Sequence, residues 1–275
     1  MGFDRRIFLR GAGAIVGCAL GRAGLAEAAE VRSGRAATTR KEWEALVGAA
    51  GQANFNCVRT AEILEGPFYY ESSPLRSAIA ERHPGERVRL GITVAGMILP
   101  NRCMPLTGAI VDIWQTDGVG LYSNVGPDLQ NVDTVGQSFL RGHQVTDENG
   151  YVEFDTLVPG WEIMAAPPPL HVALRTTHVH VKVFHEREVL TTQLFFPDAL
   201  LDDLYANVEP YKSHRAMTAP GLSRPYERIA NGKDRFYLES NSQPVSVARE
   251  HGVLVAKATI GVMSQGNLGI KPLFR

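Results

Sequence analysis

Two histidines lie two residues apart in the stretch RTTHVHVKVF, which begins at Arg175. Apolar and polar residues alternate along it, which is typical of a β-strand with one buried face. Because successive side chains of a strand point to opposite faces, His178 and His180 share one face and the intervening valines take the other. Paired neutral imidazoles bind transition metals, so the stretch predicts a metal site. The alternative is a polar strand face in contact with water.

Several common catalytic motifs are absent from the sequence. It contains no GxSxG nucleophile elbow, no GxxxxGK[ST] phosphate loop, no HExxH zinc motif and no CxxC pair. A cupin-type HxH site would carry a glutamate four or five residues after its second histidine, whereas Glu186 follows His180 by six. These absences argue against a serine hydrolase of that type, a P-loop nucleotide-binding protein and the common zinc proteases.

Three further side chains that could take part in a metal or catalytic site lie in or close to predicted strands. Tyr122 follows a strand-like run and two glycines, Arg175 precedes the first histidine by three residues, and Gln193 lies in the next strand. Each has an ordinary structural explanation when taken alone: a turn residue, a surface ion pair and a polar strand residue. Their interpretation therefore depends on the segments that surround them.

The elements that must position these residues form an all-β pattern. Turn residues separate short runs with a period of two, and two segments have helical spacing. We therefore predict an antiparallel β-sandwich with short helices and long loops. The predicted strands are RVRLGITVAGMI, LTGAIVDIWQTD, GYVEFDTLVPG, HVHVKVF, LTTQLFF, RFYLES and GVLVAKATIGV; the predicted helices lie in TRKEWEALVGAAGQA and DALLDDLYANV; HERE is a hairpin turn and EGPFYYESSPL a loop.

Charge and length limit the classes of partner. The chain has 275 residues with 28 basic and 29 acidic side chains, a net charge of -1, and no basic stripe for nucleic acid. We find no internal repeat and no segment long and apolar enough to span a membrane. Residues 31–275 are therefore predicted to form a single domain.

Residues 1–28 have the pattern of a twin-arginine export signal. Arg5 and Arg6 precede a short apolar run, and Ala26, Glu27 and Ala28 offer small residues for cleavage. We therefore expect export to the periplasm or the extracellular space. A less favoured alternative is lipid attachment at Cys18, in the run IVGC.

The mature chain would keep two cysteines, Cys57 and Cys103. Cysteines in an oxidising compartment often pair, so we expect a disulfide between them. Two separate buried thiols are the alternative.

Five segments occur in the order typical of one enzyme family: EGPFYY, PLTGAIVDIWQTDGVGLYS, TDENGYVEFDTLVPG, RTTHVHVKV and LTTQLFFPD. Over roughly residues 57 to 200 the chain resembles the intradiol ring-cleavage dioxygenases, the catechol and protocatechuate dioxygenases. The leader and the two cysteines make it similar to exported members of that superfamily.

The resemblance implies a β-sandwich that holds a non-haem Fe(III) through two tyrosinates and two histidines. Such enzymes open a catechol-like ring between its hydroxyls with dioxygen, giving a muconate-type diacid. The resemblance identifies Tyr122, His178 and His180 as the metal ligands in this chain. Arg175 would lie over the substrate ring and stabilise developing charge, with Gln193 beside it. A homo-oligomer is left open, because family members often associate.

The second tyrosine is where the sequence departs from the family pattern TDxxGxYxF. The block here is TDENGYVEF, so the expected ligand position is Val152, and Tyr151 points to the opposite face unless a bulge turns the strand. Water filling the gap is one alternative, and a catalytically altered relative that binds a metal or an aromatic ligand is another. A tyrosine from elsewhere is the third, with the candidates Tyr70, Tyr205, Tyr211 and Tyr226.

Overall fold

The computed structural model describes residues 59–99, 102–165, 172–214 and 228–263, which all belong to the compact unit Thr38–Arg275. The predicted leader with Cys18, the helix predicted in TRKEWEALVGAAGQA, and Cys57 lie outside the described residues. Export and the disulfide therefore stay predictions, and Cys103 is buried. Within the described ranges, no helix is long and apolar enough to cross a membrane.

The described residues contain eleven strands and four short α-helices. The strands are β1 (Arg87–Leu99), β2 (Arg102–Pro105), β3 (Ile110–Trp114), β4 (Arg141–Val145), β5 (Tyr151–Leu157), β6 (Ile163–Ala165), β7 (Val172–Leu174), β8 (His178–His185), β9 (Glu188–Phe195), β10 (Ser246–Glu250) and β11 (Val253–Met263). The helices are α1 (Pro127–Gln130), α2 (Asp198–Asn207), α3 (Tyr211–His214) and α4 (Arg235–Glu239), with a 3-10 turn at Asn231–Lys233.

Two main sheets form the sandwich. One has the order β10-β11-β1-β2, with β5 also paired to β1, and the other has the order β4-β3-β8-β9. The long strand β1 pairs with β5 through its first half and with β2 through its second half, both antiparallel. Its pairing with β11 is parallel, so one pair departs from the otherwise antiparallel pattern. A third, two-stranded sheet joins β6 and β7. The predicted all-β sandwich is confirmed.

The core contains apolar side chains from both main sheets. Strands β1, β3 and β8 contribute every second residue, as the period of two requires. Full burial of one such aliphatic side chain stabilises the fold by about 1.5–3 kcal/mol. The valines of β8 belong to this core, so the two histidines of that strand lie on the outer face of their sheet. The core includes Leu90, Ile92, Val94, Val111, Ile113, Val152, Phe154, Val179, Val181 and Val183.

Most local predictions hold. The strand HVHVKVF and the strand LTTQLFF are joined by a tight turn in which Glu186 has a φ of 55°. The helix predicted in DALLDDLYANV is α2. RFYLES is not a strand: it forms α4, because the side chain of Asp234 accepts a hydrogen bond of 3.0 Å from the backbone N–H of Tyr237 and caps the helix.

Candidate functional site

A row of side chains crosses the outer face of the four-stranded sheet. Arg141 of β4 lies opposite Trp114 of β3, Trp114 opposite His180 of β8, and His180 opposite Gln193 of β9. Opposed residues of antiparallel strands point to the same face, so these four side chains are neighbours. All four are buried, and the indole of Trp114 stacks on the imidazole of His180 at 4.7 Å and 6°. The sheet register therefore fixes the surroundings of His180.

The two histidines converge on one point. The Nε2 atoms of His178 and His180 are 3.0 Å apart, and both rings are buried. Two nitrogens that each lie about 2.1 Å from one ion, at roughly a right angle, are themselves about 3.0 Å apart. The pair therefore fits a metal ion in its spacing and in its chemistry.

Hydrogen bonds set the protonation of this pair. His178 donates from Nδ1 to the Thr176 carbonyl at 2.7 Å, which leaves the Nε2 lone pair available to a metal. Burial lowers the pKa of His178, and the charge of Arg175 lowers it further. Burial also lowers the pKa of His180, together with its neighbours His178 and Arg175. Both imidazoles are therefore neutral near pH 7, which is the form that binds metals.

Tyr122 faces the histidine pair from the loop after β3. Its buried ring lies 6.1 Å from the ring of His180 and packs on Phe68 at 4.7 Å, centroid to centroid. Its backbone N–H donates to Gln130 Oε1 at 2.9 Å, and its carbonyl accepts from Thr134 Oγ1 at 2.7 Å. These bonds fix the position of the phenol within a loop.

Arg141 joins two of the loops that cover the site. Its guanidinium donates to the Phe68 carbonyl at 2.7 Å, to Ser123 Oγ at 2.9 Å and to the Ser123 carbonyl at 2.8 Å. Burial lowers the pKa of Arg141, while the neighbouring Tyr122 opposes the shift. Because Arg141 donates to both loops, it fixes the positions of Phe68, which packs on Tyr122, and of Ser123, which follows it in the chain.

Glu162 is a site residue that the sequence reasoning missed. Its side chain is only 7% exposed, and its negative charge raises the pKa of Tyr122. Its negative charge also acts on His178. One signal was present in the sequence: Glu162 is the only Asp, Glu, Lys or Arg between Asp155 and Arg175.

The Tyr122 and Glu162 segments approach each other closely at Gly160. Its N–H donates to the Asp117 carbonyl at 2.8 Å, and its carbonyl accepts from Thr116 Oγ1 at 2.6 Å. A Cβ on Gly160 would lie 2.6 Å from the backbone nitrogen of Gly120 and 2.8 Å from the Asp117 carbonyl oxygen. The absence of a side chain at Gly160 therefore permits the close approach of these two backbone segments.

We expect Gly160→Ala to destabilise the protein by about 1–3 kcal/mol, because the added methyl group meets rigid backbone atoms. The displaced loop should also weaken metal binding, measured as metal content after dialysis. Gly126→Ala is the matched control, since a Cβ there has no neighbour within 4 Å. An unfolding midpoint of Gly160→Ala equal to that of Gly126→Ala would contradict this account.

Arg175 and Gln193 also lie at the site, in contact with each other. Arg175 Nη2 donates to Gln193 Oε1 at 2.7 Å, and its Nε donates to Asp234 Oδ2 at 2.7 Å. Its guanidinium also lies 4.4 Å from the ring centre of Phe236. Burial raises the pKa of Asp234, but the hydrogen bonds and charge of Arg175 outweigh it and the net pKa is lowered. Arg175 is therefore held in one orientation.

The interpretation of Val152 as the position of a missing ligand is wrong. Val152 pairs with Ile92 of β1 and packs in the core between the sheets, together with the valines of β8. His178 and His180 lie on the other face of β8, so the four-stranded sheet separates them from Val152. No residue at position 152 of this fold could share a metal with the two histidines.

A bulge does not bring Tyr151 to the site either. The pairing of β5 with β1 is regular from Leu157 to Tyr151, without a shift in register. The hydroxyl of Tyr151 donates to Glu153 at 2.8 Å on the exposed face of the other sheet.

The other candidate tyrosines have different roles or lie outside the described residues. Tyr205 and Tyr211 pack in the main core, where Tyr211 donates to the Val158 carbonyl at 2.6 Å and Tyr205 to the Pro159 carbonyl at 3.2 Å. Tyr70 is 44% exposed. Tyr226 lies outside the described residues. Tyr205 and Tyr211, whose hydroxyls are bonded to these carbonyls, supply no second phenol at the histidine pair.

The donor set fits a ferric ion only when Tyr122 is included. Within the described part of the chain, no group of three or more His, Cys, Asp or Glu side chains is arranged to hold a metal. Burial raises the pKa of Tyr122, and the negative charge of Glu162 raises it further. A bound cation reverses such a shift, so the phenol would become a hard anionic donor when the metal binds.

Comparisons with known proteins identify the family of the chain. The sequence profile of the family Dioxygenase_C, described as Dioxygenase, matches residues 64–219. A chlorocatechol 1,2-dioxygenase of Rhodococcus opacus is 30% identical over 160 residues, which is 52% of this chain and 59% of that protein. A catechol 1,2-dioxygenase of Candida albicans is 28% identical over 238 residues, 78% of this chain and 71% of that one.

A solved structure, an intradiol ring-cleavage dioxygenase from Tetranychus urticae, has a TM-score of 0.60 and 26% identity. The alignment covers 77% of this chain and 98% of that one. The match to the Rhodococcus opacus protein, in contrast, spans little more than half of that relative.

Proposed function

Because this chain belongs to the intradiol ring-cleavage dioxygenase superfamily, we propose that it is a non-haem iron dioxygenase that opens a catechol-like ring between its two hydroxyls. The observation that carries the proposal is the convergence of Tyr122 on the buried pair His178 and His180. A ferric ion bound there would act as a Lewis acid and make the chelated aromatic diol reactive towards dioxygen.

The residues of this chain have distinct parts in the proposal. His178 and His180 would hold the metal through neutral nitrogens, and Tyr122 would hold it through a phenol oxygen without its proton. Arg175 places a fixed positive charge near all three, where it stabilises negative charge that develops on the ring. Gln193 positions the guanidinium of Arg175.

The first experiment is metal analysis with a visible absorption spectrum, before and after anaerobic addition of catechol, followed by oxygen uptake. We expect about one iron per chain and a tyrosinate-to-iron band that shifts with catechol, because Tyr122 is the phenol at the site. Tyr122→Phe should remove the band. Tyr151→Phe, which alters a tyrosine on the other sheet, is the control and should keep it.

A colourless protein that neither binds iron when it is offered nor responds to catechol would contradict the proposal. An iron-binding protein without oxygen uptake would instead support the alternative of a metal- or aromatic-binding relative. Val152 no longer favours that alternative, since it lies in the core.

The proposal extends to the location of the protein and its partners. The partners would be a small aromatic diol and dioxygen, and the twin-arginine pattern of residues 1–28 supports export. Amino-terminal sequencing of the protein recovered from a periplasmic fraction tests export. A mature chain that begins near residue 29 is the expected result, and a full-length chain confined to the cytoplasm is the contrary one.

A further inference from the structure

We propose that Asn231 is a positioning residue for the metal ligand His178, and that it acts through Thr176. The side chain of Asn231 holds Thr176, and the carbonyl of Thr176 holds the imidazole of His178. The inference rests on the proposed function, because it concerns a ligand of the metal in that proposal. It goes beyond the family resemblance, because Asn231 lies outside residues 64–219, which the family profile matches.

The hydrogen bond between His178 and the Thr176 carbonyl fixes the form of the imidazole. The Nδ1 atom of His178 lies 2.7 Å from that carbonyl oxygen. A carbonyl oxygen can only accept, so Nδ1 carries the proton of the neutral ring and Nε2 presents its lone pair. Partners of this kind set both the tautomer and the ring orientation of a metal-binding histidine. The position of the Thr176 carbonyl therefore determines where the Nε2 lone pair points.

Thr176 is held by side chains rather than by strand pairing. It lies between the end of β7 at Leu174 and the start of β8 at His178. It is only 1% exposed, so its polar groups need partners within the protein. Its N–H donates to Asp234 Oδ2 at 2.9 Å, and its Oγ1 donates to Asn231 Oδ1 at 2.7 Å. With the carbonyl bonded to the imidazole, the N–H, the hydroxyl and the carbonyl of Thr176 each have a partner.

Asn231 is itself fixed at the junction between β9 and α2. Its side chain is buried, and its Nδ2 donates to the Phe196 carbonyl at 2.9 Å. Its backbone N–H donates to Asp198 Oδ1 at 3.1 Å. Because the amide nitrogen faces a carbonyl, the amide oxygen faces the hydroxyl of Thr176, which is the orientation that can accept its proton. Asn231 thus connects the end of β9 to the residue that orients His178.

Asp234 makes the second contact to Thr176 and joins it to Arg175. The same Oδ2 atom that accepts from the Thr176 N–H also accepts from Arg175 Nε at 2.7 Å. One carboxylate therefore holds both the charged side chain near the site and the residue whose carbonyl bonds to His178. A change at Asp234 would disturb both, so the contribution of Asn231 must be tested at the hydroxyl of Thr176.

Thr176→Val removes the hydroxyl bond to Asn231 and leaves the Thr176 N–H bonded to Asp234. We expect affinity for iron, measured by titration and by metal content after gel filtration, to fall about tenfold, because loss of an outer partner of a metal ligand typically costs tenfold to a hundredfold. Thr176→Ser keeps the hydroxyl and should retain the affinity of the parent.

The protonation of His178 can be measured without any metal. Nitrogen-15 NMR of the metal-free protein distinguishes a protonated Nδ1 from a protonated Nε2, and the signals of His178 are those absent from His178→Ala. We expect the Nδ1-protonated form in the parent and in Thr176→Ser. Thr176→Val should show a mixture of both forms, because its carbonyl is no longer held in one position.

Thr156→Val is the matched control. Thr156 is also buried, and its Oγ1 donates to Gln115 Oε1 at 3.0 Å, while Gln115 Nε2 donates to the Leu157 carbonyl at 2.8 Å. The same pattern of bonds thus occurs on β5, in the other main sheet. The control should lose stability in the same way as Thr176→Val but keep the iron affinity and the His178 signals of the parent.

Equal iron affinity and equal His178 signals in Thr176→Val and Thr156→Val would overturn the inference, and Asn231 would then support only the fold. A loss of affinity that Thr176→Ser shares would overturn it as well, since serine keeps the hydroxyl. In both cases the proposed function stands if the parent binds iron with a visible band that Tyr122→Phe removes. A parent that binds no iron contradicts the proposed function and the inference together. Circular dichroism of each variant identifies any loss of fold.

Discussion

The combined change His178→Ala and His180→Ala is expected to abolish stable iron binding, with a drop of at least about tenfold in metal content and loss of oxygen uptake. Both Nε2 atoms point to the same position at a separation of 3.0 Å, and the sheet offers no other imidazole in that row. The measurement is iron per chain after gel filtration, together with the visible band. Because the lost rings lie on the outer face of β8, the strands should still form.

His185→Ala is a matched control for this change. His185 ends the same strand, pairs with Glu188 across the hairpin and lies beyond the site. Its loss should leave iron content and spectrum unchanged. Iron content in the double variant equal to that of the control would mean that the metal, if one binds, does so elsewhere.

Arg175→Met is expected to lower both activity and stability. Methionine fills much of the volume over Phe236 but leaves Asp234 buried without its cation, and breaking a buried ion pair in this way costs about 3–5 kcal/mol. Removing the fixed positive charge from the site should also reduce kcat/KM by about a hundredfold. Chemical denaturation and steady-state oxygen uptake measure the two effects.

The double variant Arg175→Met with Asp234→Asn separates the two effects. It removes the unpaired carboxylate, so it should recover part of the lost stability. It should not recover kcat/KM, since the charge near Tyr122 and the histidines is still absent. Recovery of both quantities together would show that Arg175 has only a structural role.

The strands were predictable because their apolar residues alternate with a period of two over segments that turns separate. The pairing of His178 and His180 on one face followed from that same alternation. The prediction of a strand in RFYLES was wrong, since its aromatic residues favour a strand but its composition is also compatible with a helix. The helix there depends on the cap that Asp234 provides, and Asp234 is fixed in turn by Arg175, which is distant in sequence.

The error at Val152 has a different physical origin. The sequence motif assigned the role of metal ligand to position 152. Whether a side chain can reach the histidine pair depends on the face of the sheet to which it points. Val152 lies in the core, on the opposite side of β8 from the histidines. Glu162 was missed because it lies in a loop without periodicity, and the close approach of the backbone at Gly160 brings that loop to the segment before Tyr122. Contacts of that kind are determined by tertiary packing, which no local pattern reports.

The division of β8 into a valine face and a histidine face has a consequence for folding. A slip of one residue against β3 and β9 would put both imidazoles into the core and the valines into water. Hydrophobic burial therefore selects the same register that brings the Nε2 atoms together, and it does so without help from a ligand. Whereas small zinc modules fold only with their metal, this apoprotein should fold first. Metal would then add stability by mass action to a native state that already exists.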